Sequence, residues 1–159
     1  MNKLLSKQEL IKELGELEPE IKIVFTNGCF DLLHLGHIRY LKEAADLGDI
    51  LVVGLNSDYS VKRLKGNSRP LQPQEHRAEI LSALEFVDYI VIFDEDTPLN
   101  LIRSIQPDVL VKGGDWKPEQ IVGSELVLHK GGIVRSLPYY QGFSTSGMIK
   151  KIREMVIDE

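Results

Sequence analysis

The chain has 159 residues, 43% of them hydrophobic and 27% charged, with a formal net charge of −5. That is enough chain for one domain with a full core, and the acidic balance excludes a general nucleic-acid binder, which needs a basic excess. It does not exclude a locally basic site for a small anion. The single cysteine, Cys29, has no intrachain partner, and no stretch resembles a signal-peptide core or a bilayer span, so a reducing, cytoplasmic setting without membrane insertion is expected.

Ser6-Lys7-Gln8-Glu9 is a capping-box pattern, and Leu10, Ile11, Leu14 and Leu17 follow it at helical spacing, which predicts an N-terminal helical extension over residues 1–19. IKIVFT (21–26) is a buried strand ending at the turn signal Asn27-Gly28. A helix runs from His37 to Leu47, with Gly48 expected as its C-cap. ILVVGL (50–55) is the second strand, and Asn56-Ser57-Asp58 caps a short helix towards Leu64. The polar loop KGNSRPLQP (65–73) leads into a helix over 74–84, with Pro73 at its start. VDYIVIF (87–93), DVLVKG (108–113) and GGIVRSLP (131–138) are strands three to five. Helices open at Thr97-Pro98, cover Ser124–Lys130, and close the chain from about Ser144 to Met155.

Continuous apolar strands alternating with helices imply a parallel sheet covered on both faces. The expectation is therefore one α/β domain over residues 1–159, a Rossmann-like doubly wound sheet of about five parallel strands in the order 3-2-1-4-5. In such folds ligands bind beyond the carboxyl ends of the strands where the order reverses, here between strands one and four. The segments leaving those strands are TNGCFDLLHLGH and KGGDWKP, and both mix small, aromatic and charged residues.

His34 and His37 flank Leu35 and Gly36 at the start of a helix. Taken as residues alone they fit three readings: metal ligands, a catalytic pair, or two satisfied polar residues. Zinc is disfavoured by the spacing and by the lack of a second cluster of soft ligands. A glycine at a helix N-terminus opens unpaired N–H groups to an anion, and two imidazoles beside it can donate to phosphate oxygens and add charge when protonated. That suits transition-state stabilisation in phosphoryl or nucleotidyl transfer. The Gly-x-Gly-x-x-Gly and Walker A patterns are absent, which removes the usual dinucleotide and P-loop readings.

HLGH, set between a strand and a helix, resembles the His-x-Gly-His signature of the nucleotidyltransferase superfamily that includes cytidylyltransferases and pantetheine-phosphate adenylyltransferase. GFSTSGMIKKI (142–152) resembles its second signature, a Ser-Thr turn opening a late helix. The resemblance implies that His34 and His37 act on nucleotide phosphates, and that Gly36, Ser144, Thr145 and Ser146 help bind them. As residues alone, the three hydroxyls are simply a good N-cap cluster. KGGDW resembles the family's nucleoside-holding loop, which assigns Gly113 and Asp115 to the nucleotide and makes Trp116 a ligand wall or core packing.

Thr26, Asn27, Gly28, Cys29 and Phe30 join the nucleotide site, with Cys29 as packing because no base is aimed at it. Lys62, Arg63, Lys65 and Arg69 form a basic loop that can close over a triphosphate and neutralise departing pyrophosphate; Lys65 is the one assigned to catalysis. Arg77 matches an arginine of several family members and is assigned to the nucleotide. Asp31 is expected to orient a histidine or to help hold magnesium through water. Asn56, Asp58 and Arg69 are grouped with Asp31 and Trp116 at the acceptor side. No protein ligands are assigned to a metal; Mg2+ is expected to ride on the ATP phosphates.

The run from TNGCFDLLHLGHIRY through EHRAEIL, VKGGDWKPEQIVGSELV and HKGGIVRSLP resembles the adenylyltransferase half of bifunctional heptose-phosphate kinase/adenylyltransferases and their stand-alone counterparts. This implies AMP transfer from ATP to D-glycero-β-D-manno-heptose 1-phosphate. It also implies a homodimer, and a separate kinase to supply the acceptor, since the sequence holds no sugar-kinase domain. Glycerol-3-phosphate cytidylyltransferase is the alternative. Its typical Arg-Thr-x-Gly-Ile-Ser-Thr-Thr contrasts with residues 139–146 here, Tyr-Tyr-Gln-Gly-Phe-Ser-Thr-Ser, and the missing arginine favours the heptose enzyme. Phe143 and Ser146 depart from the cysteine and threonine that heptose enzymes often carry. A nucleotide-binding module without chemistry is the third reading.

Overall fold

Five apolar runs form the strands β1 (Ile23–Gly28), β2 (Ile50–Asn56), β3 (Tyr89–Phe93), β4 (Val109–Gly113) and β5 (Ile133–Leu137) of a computed structural model that describes residues 3–138 and 140–157. Tyr139, one of the positions set against the cytidylyltransferase pattern, lies outside the described residues. The strands pair in parallel in the order β3-β2-β1-β4-β5, as the alternation of elements predicts. Carboxylates at the amino ends fix where the strands begin: Asp49, Asp108 and Asp88 accept from the amides of Lys22, Ile23 and Leu51 at 2.8, 2.9 and 2.7 Å.

Seven helices of the described residues cover the sheet: α1 (Lys7–Gly15), α2 (Leu35–Ala45), α3 (Asp58–Lys65), α4 (Gln74–Ser82), α5 (Leu99–Ile105), α6 (Ser124–His129) and α7 (Thr145–Ile157). A 3-10 turn at Pro118–Gln120, not expected from the sequence, precedes α6. The sheet divides two cores. On one face Val24, Val53 and Val111 pack with Leu41 and Ala44 of α2 and with Ala78 and Leu81 of α4. On the other Phe25, Val52 and Leu110 pack with Leu101, Ile102 and Ile105 of α5.

The capping box at Ser6 and Glu9 forms as its spacing predicts. The extension is part of the packing: Leu10 is fully buried in the second core, and the segment before α1 runs beside β3, with Leu5 N donating to Ile90 O at 3.0 Å. Covering that edge removes a row of unpaired strand groups.

Two local expectations change. Helix α2 starts at Leu35, so His34 is its N-cap. Gly48 is not the cap, which falls on Asp46; a side chain at Gly48 would meet Val24 Cγ2 at 2.6 Å and the Lys22 carbonyl at 2.8 Å. Close approach of the turn to β1, and not a left-handed conformation, demands that glycine.

Candidate active site

Strand β1 pairs with β2 over six positions, Ile23 to Gly28, but with β4 over only Val24–Val109 and Phe25–Leu110. Beyond those rungs the two central strands splay, because their following connections leave to opposite faces. Tyr40 of α2 bridges the gap, its hydroxyl 2.5 Å from Thr26 Oγ1 and donating to the Val111 carbonyl at 3.4 Å. Above it lies a cleft of about 750 Å3, within the range of small-molecule sites.

Helix α2 presents its N-terminus to this cleft. His34 Nδ1 accepts from the His37 amide at 3.3 Å, so the neutral ring carries its proton on Nε2 and is a donor there. The capping reading and the catalytic reading therefore both apply to His34, one to each nitrogen. The rings of His34 and His37 stack with centroids 3.8 Å apart at 18°. Phe30 meets His37 edge-on at 5.3 Å. Phe30 has φ 46, a left-handed conformation that a bulky residue adopts only where the surroundings impose it.

Burial, then the neighbouring His34 and Lys65, push the His37 pKa down to about 4, against a smaller upward pull from the Leu32 carbonyl. Burial also lowers His34. Burial therefore favours the neutral form of both rings near pH 7, against the expectation that protonated imidazoles add charge. His34 Nδ1 is occupied by the His37 amide, which leaves only Nε2 of that ring open to a ligand.

A side chain at Gly36 would lie 3.0 Å from Phe143 Cβ and 3.1 Å from the His34 ring. The missing Cβ is thus what lets the α7 entry loop pack onto the start of α2. Thr145 Oγ1 donates to the Leu32 carbonyl at 3.3 Å, Tyr140 OH donates to Glu43 at 3.1 Å, and Arg39 lies over the Tyr140 ring at 5.3 Å. Ser144 Oγ accepts from the Gly147 amide at 3.0 Å, so it is an N-cap, as its residue type suggests. Ser144, Thr145 and Ser146 line the cleft together with His34, Gly36 and His37. Two helix N-termini, each with N–H groups that precede the first intrahelical bond, thus face one space.

The basic residues separate by their partners. Arg63 pairs with Asp96 at 2.7 Å, and Lys62 lies over Tyr59 at 6.0 Å. Of the four in that loop region only Lys65 lines the cleft. Arg69 donates to Asp31 at 2.6 Å. Asp31 also accepts from the amides of Leu71 at 2.8 Å and Gln72 at 2.9 Å. Burial pushes its carboxyl up, but the Gln72 and Leu71 amides and Arg69 together outweigh this and hold its pKa below the usual value. Asp31 and Arg69 therefore pin the loop, and the Asp31 carboxylate is taken up by these contacts and not by orienting a histidine; Asp31 still lines the cleft, whereas Arg69 does not.

Arg77 is likewise a framework residue and not a nucleotide ligand. Its side chain is fully buried; it donates to the carbonyls of Cys29, Asn56 and Gln72 at 2.6, 2.8 and 3.0 Å and to Asp58 Oδ1 at 2.8 Å. It ties the ends of β1 and β2 to the loop, and takes Asp58 out of the acceptor group. Asn56 lines the cleft, with Nδ2 donating to Ser60 Oγ at 2.9 Å. Thr26, fully buried on Tyr40, lies beneath the cleft, whereas Asn27, Gly28, Cys29 and Phe30 line it.

After β4, Gly113 and Trp116 line the cleft, and the indole is fixed by Nε1 donating to the Gly113 carbonyl at 3.0 Å. Asp115 is exposed outside the lining. Sequence reasoning missed Tyr40, Gln120 and Lys112. Lys112 is a half-buried cation in the lining, its pKa lowered by burial and partly restored by Cys29. Its signal was there: a lysine inside an otherwise apolar buried strand, LVKGG. Among the described residues no three His, Cys, Asp or Glu side chains converge to hold a metal.

The class follows from this geometry: a doubly wound sheet with HLGH at one helix N-terminus and a hydroxyl-rich second N-terminus across the cleft. A family model, cytidylyltransferase-like, matches residues 25–151, and the chain belongs to that family. The bifunctional protein HldE of Campylobacter concisus (strain 13826) is 56% identical over 158 residues, 99% of this chain and 32% of the relative. That of Geotalea uraniireducens (strain Rf4) is 59% identical over 138 residues, 87% of this chain and 28% of the relative. The chain thus spans about a third of the length of these curated relatives. Among solved structures, the lipopolysaccharide core biosynthesis protein from Thermoplasma volcanium GSS1 is 32% identical with a TM-score of 0.60, over 76% of this chain and 97% of that one. A pantoate-beta-alanine ligase from Francisella tularensis shares the fold alone, at 17% identity and TM-score 0.62, over 87% of this chain and 67% of that one.

Proposed function

We propose that this domain transfers AMP from ATP to D-glycero-β-D-manno-heptose 1-phosphate, giving ADP-heptose and pyrophosphate. The observation that carries the reading is the stacked histidine pair at the α2 N-terminus, with His34 Nε2 free to donate, facing the α7 N-terminus across one cleft. The extent of identity with the HldE proteins over nearly the whole chain supports the heptose acceptor.

An oxygen of the acceptor phosphate attacks the α-phosphorus in line as the bond to the bridging oxygen of pyrophosphate breaks. His34, through Nε2, and His37 act on the oxygens on which charge develops. Lys65, at the end of α3, faces the β- and γ-phosphates. Both reactants lie in one cleft, so the transfer needs no covalent nucleotidyl-enzyme. Mg2+ on the triphosphate supplies further charge neutralisation. The product enters the lipopolysaccharide core or another surface glycan, a sugar kinase supplies the acceptor, and the enzyme works as a homodimer in the cytoplasm.

Pyrophosphate release from a panel of nucleotides and phosphorylated acceptors tests this. Release only with ATP and heptose 1-phosphate is expected. Release with CTP and glycerol 3-phosphate would identify the cytidylyltransferase instead, and binding without release from any pair would identify a module without chemistry.

A further inference from the structure

The cleft extends over both faces of the sheet, and the histidines account for one. Val111 packs in the core shared with α2, whereas Leu110 packs against α5. Side chains alternate along a strand, so Lys112 lies on the α5 face with Leu110, and Asn27 with Phe25. That arm of the cleft is bounded by Thr97 and Pro98 before α5 and by Gln120 in the 3-10 turn. Lys112 is half-buried, and among the described residues its ammonium has neither a hydrogen bond nor an ion pair, only the nearby Cys29 side chain. Among the described residues the buried arginines near the cleft each have an acceptor: Arg77 has four, and Arg69 has Asp31, although its Nη2 has no partner.

A desolvated cation without a partner destabilises a fold, and its place in a cleft marks it for an anionic ligand. In the function proposed above, the triphosphate lies on the other side, against the α2 and α7 N-termini and Lys65. We propose that the α5-face arm of the cleft is the subsite for the acceptor's phosphate monoester, with Lys112 as its cation and Asn27, Thr97 and Gln120 as partners for the sugar. This rests on the nucleotidyl-transfer reading and adds to it the place and the charge that select a phosphorylated acceptor. Gln120 has its Oε1 taken by the Lys117 amide at 3.1 Å, which leaves its NH2 to donate to a hydroxyl.

The test is steady-state kinetics of Lys112→Gln and Lys112→Arg, with ATP and heptose 1-phosphate varied separately. For Lys112→Gln the KM for the sugar phosphate should rise about tenfold or more while that for ATP stays within about twofold. Its melting temperature should equal or exceed that of the parent, and Lys112→Arg should recover most of the loss. Equal rises in both KM values, or a fall in kcat with both unchanged, would overturn the assignment. If the parent protein does not turn over this acceptor, calorimetric binding of inorganic phosphate to the protein loaded with a non-hydrolysable ATP analogue decides the matter. Binding weakened by Lys112→Gln keeps the subsite for a different phosphorylated acceptor, and binding equal in both proteins, or absent from both, removes it.

Discussion

Arg77 and Lys112 are both cations taken out of water beside the same cleft, yet they differ in every other respect. Arg77 has four acceptors from three segments of chain and none of its side chain is exposed. Lys112 has no such partner among the described residues and borders open space. A buried charge held by acceptors from several segments ties the framework together, and Lys112, which has none, is the one we assign to a ligand. Charge and location alone do not separate the two.

The largest effect expected from this contrast is in stability. Arg77→Ala leaves three carbonyls and Asp58 without their donor, and should lower the unfolding free energy by about 3–5 kcal/mol in urea titration. An Arg77→Ala protein as stable as the parent would dissolve the distinction.

Next come the two histidines of the cleft, of which His34 also caps α2. His34→Ala and His37→Ala should each lower kcat about 100- to 1000-fold, on the scale of a lost oxyanion donor, measured as pyrophosphate release from protein of unchanged circular dichroism. Either variant retaining full turnover would falsify the proposed role of that ring.

Asp31→Asn sits on the framework side of the comparison. With the carboxylate neutralised, the contacts to Arg69, Leu71 and Gln72 weaken, at about 1–3 kcal/mol. Limited proteolysis should then cut within residues 65–73 faster than in the parent; an unchanged rate would show that the loop is held by other means.

The last test is a titration. His37 has a pKa of about 4 in the fold against about 6.5 in an unfolded chain. As pH falls the unfolded chain therefore takes up this proton first. The contribution of the neutral ring to stability is full above about 6.5 and is lost progressively down to about 4. Turnover between pH 6.5 and 8 should show no step from His37, and its ring signals in NMR should titrate near pH 4. A midpoint near 6.5 would mean that the ring is solvated and not held neutral by burial.

Much of this was legible in the sequence, for reasons that are local. Apolar runs ending in Asn27-Gly28 or Gly113-Gly114 give strands; Ser6 with Glu9 gives a capped helix; the alternation gives a parallel sheet with its switch between β1 and β4. HLGH and FSTSG are contiguous, so their resemblance could be read directly. What tertiary structure alone decided is which polar side chains are already satisfied. Asp31 meets Arg69 38 positions away, Arg77 meets the Cys29 carbonyl 48 positions away, and Tyr40 reaches Val111 across 71. No local pattern encodes these pairings, because they depend on which loops the sheet order brings together. The residue types in and around the cleft were thus set by the sequence, whereas the division into framework charges and ligand-facing charges was set by packing, which uses up some hydrogen-bonding groups and leaves others open.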